Sequence, residues 1–208
     1  MKRVISVWFP RLATDRCHMN TDMKAQNRMG TRSQHDASQI SCSDAVPHVV
    51  IRRRAGSLFI SAVCSHAAEQ GIVPGMALAD ARALEPNMIT HEEDSAADLR
   101  MLTKLADWAE RYSPRVSLEG LDGNGGAGVW IDISGAAHLF GGEETLLRDL
   151  CARLVKRGFS VRAAIADTAS AAWAAARFFD GPETFSVNRI AVSQVQGSGH
   201  TGVADAGG

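Results

Sequence analysis

Residues 116–133 run Val116-Ser117-Leu118-Glu119-Gly120-Leu121, then Asp122-Gly123-Asn124-Gly125-Gly126, then Ala127-Gly128 and Val129-Trp130-Ile131-Asp132-Ile133. The outer runs carry the β-branched, apolar and aromatic residues that suit a pleated sheet. The middle run is a flexible glycine-rich turn. The stretch predicts two strands joined as a hairpin. Upstream, Met101, Leu105, Trp108 and Tyr112 fall on one helical face. Ser95 followed by Asp98 resembles a helix-start box, and Ser113-Pro114 ends that helix. Downstream, a helix opens on Glu143-Glu144 after Gly141-Gly142 and closes on Lys156-Arg157-Gly158. Those charges suit the helix dipole at both ends, and the glycine suits the cap. Residues 160–166 then read as a strand and residues 168–178 as an alanine-rich helix.

Farther out, residues 3–9 read as a buried strand ended by Pro10. Residues 17–45 are rich in Asn, Ser, Gln, Asp and Thr without an apolar period, which predicts a loop or mobile insert. Two extended runs, residues 49–53 and 58–63, flank Gly56-Ser57 as a hairpin. Short helices follow over residues 64–70 and 76–84. Setting residues 13–94 aside leaves strand, helix, strand, strand, helix, strand and a further helix. That order predicts an α+β fold, the ferredoxin-like split βαβ arrangement, with a small subdomain inserted after the first strand. After residue 178 only residues 185–192 suggest a strand, and the Gly/Ser-rich end reads as poorly ordered.

With 208 residues, 45% of them hydrophobic and 22% charged, the chain has the make-up of one large or two small globular domains, not of a disordered protein. No apolar run approaches the roughly 18 residues of a membrane span, and the N-terminal run is too short for a signal peptide. Cys17, Cys42, Cys64 and Cys151 form no C-x-x-C pair, which predicts free thiols in a cytoplasmic protein. The net charge of −1 conceals +6 over residues 1–54, −9 over residues 55–151 and +2 over residues 152–208. A protein gripping DNA with its whole surface would be strongly basic, so any DNA contact here is local or supplied from elsewhere.

Several strings, in order, resemble the Y-family (UmuC-like) translesion DNA polymerases over roughly residues 3–178. They are Gly71-Ile72-Val73-Pro74-Gly75-Met76, Tyr112-Ser113-Pro114-Arg115-Val116, Ile131-Asp132-Ile133-Ser134-Gly135, Leu139-Phe140-Gly141-Gly142 and Ala164-Ile165-Ala166-Asp167-Thr168. Trp8-Phe9-Pro10-Arg11-Leu12 and Leu78-Ala79-Asp80-Ala81-Arg82-Ala83-Leu84 are similar to strings in the family's polymerase-like accessory subunits of bacterial mutagenesis complexes. The resemblance implies a palm over residues 1–12 and 95–178, and fingers over residues 13–94 with a mobile insert near 17–45. It leaves a poorly ordered tail over 179–208. The family's thumb, little-finger domain and clamp-binding peptide would follow residue 178.

Two-metal nucleotidyl transfer needs carboxylates from adjacent strands around a pair of Mg²⁺ ions. The resembled family places D-x-D on the first strand. Aligned through Ile5, those positions hold Ser6 and Trp8, and an indole there would exclude a solvated metal. Its second pair, the D-E of S-I-D-E, falls on Ala127 and Gly128, although a gap would bring Asp122 or Glu119 closer. The triphosphate-binding Tyr and Arg fall on Ser65 and Ala68, the lysine of G-I-A-x-N-K on Ala169, and the steric gate in Pro10-Arg11. Asp132 matches a palm position outside the metal site.

The resemblance therefore implies a catalytically inactive polymerase-like protein without catalytic residues, metal or cofactor, an accessory or scaffold in damage-induced translesion synthesis and SOS mutagenesis. Its implied partners are damaged or primed DNA, held weakly, an error-prone C-family polymerase, the sliding clamp and a RecA-like accessory protein, and no membrane. An active Y-family polymerase using Mg²⁺ and an inert remnant of a truncated gene are the alternatives. Arg52, Arg53 and Arg54 are the candidate DNA contacts, against a reading as a charged strand edge. Trp108 and Trp130 are expected in the core, with Trp8 and Trp173 also weighed as base-stacking platforms. His66, His91 and His138 lack metal-ligand spacing, and His91 heads an acidic loop, Glu92-Glu93-Asp94.

Overall fold

The computed structural model describes residues 2–28, 46–123, 126–179 and 190–192. In chain order the elements are β1 (Val4–Phe9), α1 (Leu12–Arg28), β2 (His48–Arg54), β3 (Ser57–Val63), α2 (Ser65–Glu69), α3 (Leu78–Leu84), β4 (Ile89–Glu92) and α4 (Ser95–Ala109). Then come β5 (Val116–Leu121), β6 (Ala127–Asp132), α5 (Glu143–Lys156), β7 (Arg162–Ala166), α6 (Ala169–Phe178) and β8 (Ile190–Val192). A 3-10 turn at Ala137–Phe140 precedes α5.

β1 lies at the centre of a five-stranded sheet of order β5-β6-β1-β7-β8. It is antiparallel to both β6 and β7, which is the split βαβ arrangement the element order predicts. Its period-two pattern sends Ile5, Val7 and Phe9 into the main core, with Leu102 and Leu105 from α4 and Leu147, Leu150 and Leu154 from α5. The opposite face is covered by α6, whose Ala172 and Ala176 are buried. β2, β3 and β4 form a second sheet, with its own core around Val49, Ile60, Ala67 and Ile72.

Four expectations are corrected. Residues 17–28 belong to α1, not to a loop, and residues 29–45 lie outside the described residues. Residues 12–17 are all buried, with Thr14, Asp15 and Arg16 among them, so no apolar stripe marks the start of that helix in the sequence. His91 sits in β4, parallel to β2, not in a loop. The cap of α4 is Asp94, whose Oδ1 accepts from the Ala97 amide at 2.8 Å; Asp98 turns inward to the Arg16 guanidinium at 2.6 Å. Trp108 packs half-buried against the main core, whereas Trp130 is half-buried outside it. Trp130 pairs with Ser6, on the sheet face away from the main core. Trp108 carries the guanidinium groups of Arg111 and Arg157, each 4.7 Å from its ring centre.

Cys17, Cys64 and Cys151 are free and buried, and Cys42 lies outside the described residues. Among the described residues, no helix is long and apolar enough to cross a membrane.

α1 joins the two sheets. The Ser160 amide donates to Asp15 Oδ2 at 2.7 Å. On its other side, His18 stacks on His48 with ring centres 3.7 Å apart, and His48 Nδ1 lies 2.9 Å from His91 Nε2.

Burial pulls His48 from its ordinary 6.5 to about 4, helped by His18 and His91. Burial pushes Asp15 from 3.8 up to about 7, against the Ser160 amide and Arg11. These shifts act on stability in opposite directions. The His48 contribution is full above pH 6.5 and is lost as pH falls toward 4. The Asp15 contribution is full below pH 3.8 and is lost as pH rises through about 7. Relative to wild type, Asp15→Asn should thus lose its share on acidification and His48→Gln its share on alkalinisation, each by about 3–4 kcal/mol across its window. Urea unfolding of the three proteins over that range is the check, and parallel profiles would refute it.

Candidate functional site

The face of the larger sheet beneath α6 is where the sequence places a vestigial catalytic centre. β1 and β6 pair in the register Ser6 with Trp130, Trp8 with Gly128 and Phe9 with Ala127. Ser6, Trp8 and Gly128 therefore share this face. Ala127 turns into the main core, fully buried, so it does not stand opposite the Trp8 side chain. Ser6 is fully buried, and its Oγ has no hydrogen-bond partner among the described residues. Trp8 is half-buried against Ala164 and Ala176.

α6 begins where the Thr168 hydroxyl accepts from the Ala171 amide at 3.2 Å. Its alanines allow close approach to β1 and β7. Trp173 and Arg177, one turn apart on α6, both reach the β5–β6 hairpin. The Trp173 indole N–H donates to Glu119 Oε1 at 2.6 Å, and an Arg177 N–H donates to the same oxygen at 2.5 Å. The Arg177 guanidinium carbon lies 5.1 Å from the Trp8 ring centre and 4.6 Å from that of Trp173. The Trp8 indole N–H donates to Asp122 Oδ2 at 3.4 Å, and Asp122 Oδ1 accepts from the Gly126 amide at 2.9 Å.

Two glycines leave room for this cluster. A Cβ on Gly128 would collide with the Glu119 carboxylate, and one on Gly126 with that of Asp122. The register of β5 slips between Leu118 and Gly120, which frees Glu119 to lean over Gly128. The Arg177 side chain is 8% exposed and that of Glu119 20%. Burial draws the guanidinium below its ordinary value while Glu119 and Asp122 pull the other way.

These residues do not fit a pair of divalent cations. Glu119 is held by Arg177 and Trp173, Asp122 by Trp8 and the Gly126 amide. Among the described residues, no group of three His, Cys, Asp or Glu side chains is arranged to hold a metal ion.

The other sequence candidates lie apart. Ala169 is exposed at the first position of α6, Ala68 is exposed on α2, and Ser65 is half-buried at the start of α2. Pro10 and Arg11 follow β1, both half-buried. Arg52, Arg53 and Arg54 are exposed at the tip of the β2–β3 hairpin. His66 lies 3.9 Å from Glu69, His138 is in the 3-10 turn, and His91 joins the histidine stack. Sequence reading missed Arg177. The available signal was a Trp–Arg pair four residues apart on a helix whose other residues, Phe178 apart, are all small.

A split βαβ sheet with a small inserted sheet is the palm-and-fingers fold of Y-family DNA polymerases. Solved structures with this fold include a post-insertion binary complex of Dbh DNA polymerase, TM-score 0.64 and 14% identity, covering 93% of this chain and 48% of that one. DinB from Sulfolobus solfataricus matches with TM-score 0.61 and 14% identity, covering 92% of this chain and 48% of that one. The chain belongs to the impB/mucB/samB family, whose profile matches residues 44–177. It is 50% identical over 113 residues to Protein ImuB of two strains of Caulobacter vibrioides, a match covering 54% of this chain and 23% of each relative.

Trp8→Ala should lower stability by about 2–3 kcal/mol, below the value for a fully enclosed Trp. Gly128→Ala should cost about 1–3 kcal/mol by forcing the Glu119 side chain aside. Trp8→Asp combined with Gly128→Glu should destabilise the fold and leave primer extension at background. Urea unfolding checks the first two. An unchanged midpoint for Trp8→Ala would mean that the indole does not pack against α6.

Proposed function

We propose that this chain is the palm-and-fingers part of a polymerase-like accessory protein of DNA damage-induced translesion synthesis, with no nucleotidyl transfer of its own. One observation carries the reading: the palm face that must hold metal-binding carboxylates is filled by Trp8, Trp173 and Arg177, with Glu119 already paired. The likeness to Protein ImuB supports the damage-response setting. In this reading the chain works in the cytoplasm as a scaffold. It meets damaged or primed DNA, an error-prone C-family polymerase, the sliding clamp and a RecA-like accessory protein.

A second reading, an active Y-family polymerase with displaced carboxylates, has one observation in its favour. Glu119 and Asp122 lie above Gly128 and Gly126, next to the expected positions. Primer extension separates the two. Purified protein should incorporate no nucleotide above background with Mg²⁺ or Mn²⁺ on a primed template. Incorporation abolished by Asp122→Ala or Glu119→Gln would overturn the accessory reading.

DNA binding should be weak, with Kd of about 10⁻⁴–10⁻⁶ M at physiological salt, because few phosphates can be neutralised by a chain of this charge. Replacing Arg52, Arg53 and Arg54 together with alanine should remove most of it and flatten its salt dependence. Fluorescence anisotropy with a labelled primed duplex is the measurement. A sub-micromolar Kd unaffected by the triple substitution would contradict the assignment.

A further inference from the structure

We propose that Arg177 is a built-in counter-cation: its guanidinium takes on this palm face the electrostatic part that a divalent cation plays on a catalytic one. The proposal rests on the reading of the face as non-catalytic and goes further, assigning the group that makes it independent of metal.

Glu119 leans over Gly128, the direct cross-strand partner of Trp8, so a carboxylate does stand over the face despite the small residues beneath it. A mostly buried carboxylate needs a positive partner. That partner is Arg177, 2.5 Å away on α6, whose charge Asp122 also favours. A guanidinium suits this place better than an ammonium. It is planar and weakly hydrated, and it lies against two indoles, Trp8 and Trp173. Trp173 donates to the same Glu119 oxygen, fixing the carboxylate from the helix side. Glu119 Oε2 and Arg177 Nη1 are buried without a partner among the described residues, so the pair depends on its direct contact and on the stacking. The cation is thus covalently part of the helix it holds in place. A palm that binds metal would lose this charge on chelation; this one cannot.

Removing the guanidinium charge should leave the Glu119 carboxylate without its cation, and a hard divalent cation is the natural replacement. The test titrates Mn²⁺ into the full chain, following quenching of tryptophan fluorescence and the urea midpoint. Wild type should show neither a saturable response nor a shifted midpoint. Arg177→Met should unfold at lower urea, regain part of the loss with Mn²⁺, and bind Mn²⁺ at least tenfold more tightly than wild type. Adding Glu119→Gln to Arg177→Met should abolish the Mn²⁺ response. It should also raise the midpoint above that of Arg177→Met alone, because no buried charge is then left unpaired. This second comparison holds even if Arg177→Met is mostly unfolded. A double variant no more stable than the single, or an Arg177→Met protein that folds but ignores Mn²⁺, would overturn the proposal. Nucleotide incorporation by the wild type would instead overturn the accessory reading beneath it.

Discussion

β1 is hydrogen-bonded on both edges and covered on both faces, and that enclosure sets what the palm face can carry. Val4, Ile5, Ser6, Val7 and Phe9 are all buried. A carboxylate at Ser6 would sit where a fully buried hydroxyl already lacks a partner among the described residues, and burying an unpaired charge there would cost far more than burying the hydroxyl. Such strands tolerate carboxylates only with a cation beside them. Here the strand is apolar or small throughout its enclosed length, and its one half-buried residue is a tryptophan.

From this enclosure follows the role of α6. Its alanines let the helix lie low on β1 and β7, bringing Trp173 and Arg177 over the hairpin. The guanidinium loses hydration on burial, and an ion pair alone often fails to repay that loss. Two indole faces and one carboxylate offset it together. The face that holds a reacting nucleotide in a catalytic palm is thereby used for packing.

The join between the sheets obeys the same physics at a different place. α1 carries Asp15 toward the larger sheet and His18 toward the smaller, while Arg16 pairs with Asp98 at 2.6 Å. Both side chains of that pair are nearly enclosed, so breaking it would strand a charge. The packing of the fingers on the palm thus rests on a short helical segment rich in groups that titrate or carry charge. That contrasts with the wholly apolar core between β1, α4 and α5.

The amino-acid sequence alone determined the elements of the palm, because their signals are local. Alternation marks β6, glycine marks the turn before it, and acidic and basic ends mark α5. That Ser6 and Trp8 stand where the resembled family carries D-x-D came from the resemblance, through the alignment of one strand at Ile5. α1 was not legible, because residues 12–17 are buried all round with polar groups among them, and the residues downstream carry no apolar period. β4 was hidden because four residues hold too little alternation, and pairing with β2 decides it. The charge cluster was invisible for a stronger reason. Glu119 and Arg177 lie 58 residues apart, and their meeting depends on the register slip in β5 and on the rotational phase of α6 over the sheet. Neither is written in local periodicity. Only packing the alanine face of α6 against β1 and β7 sets that phase, and so places one cation between two indoles.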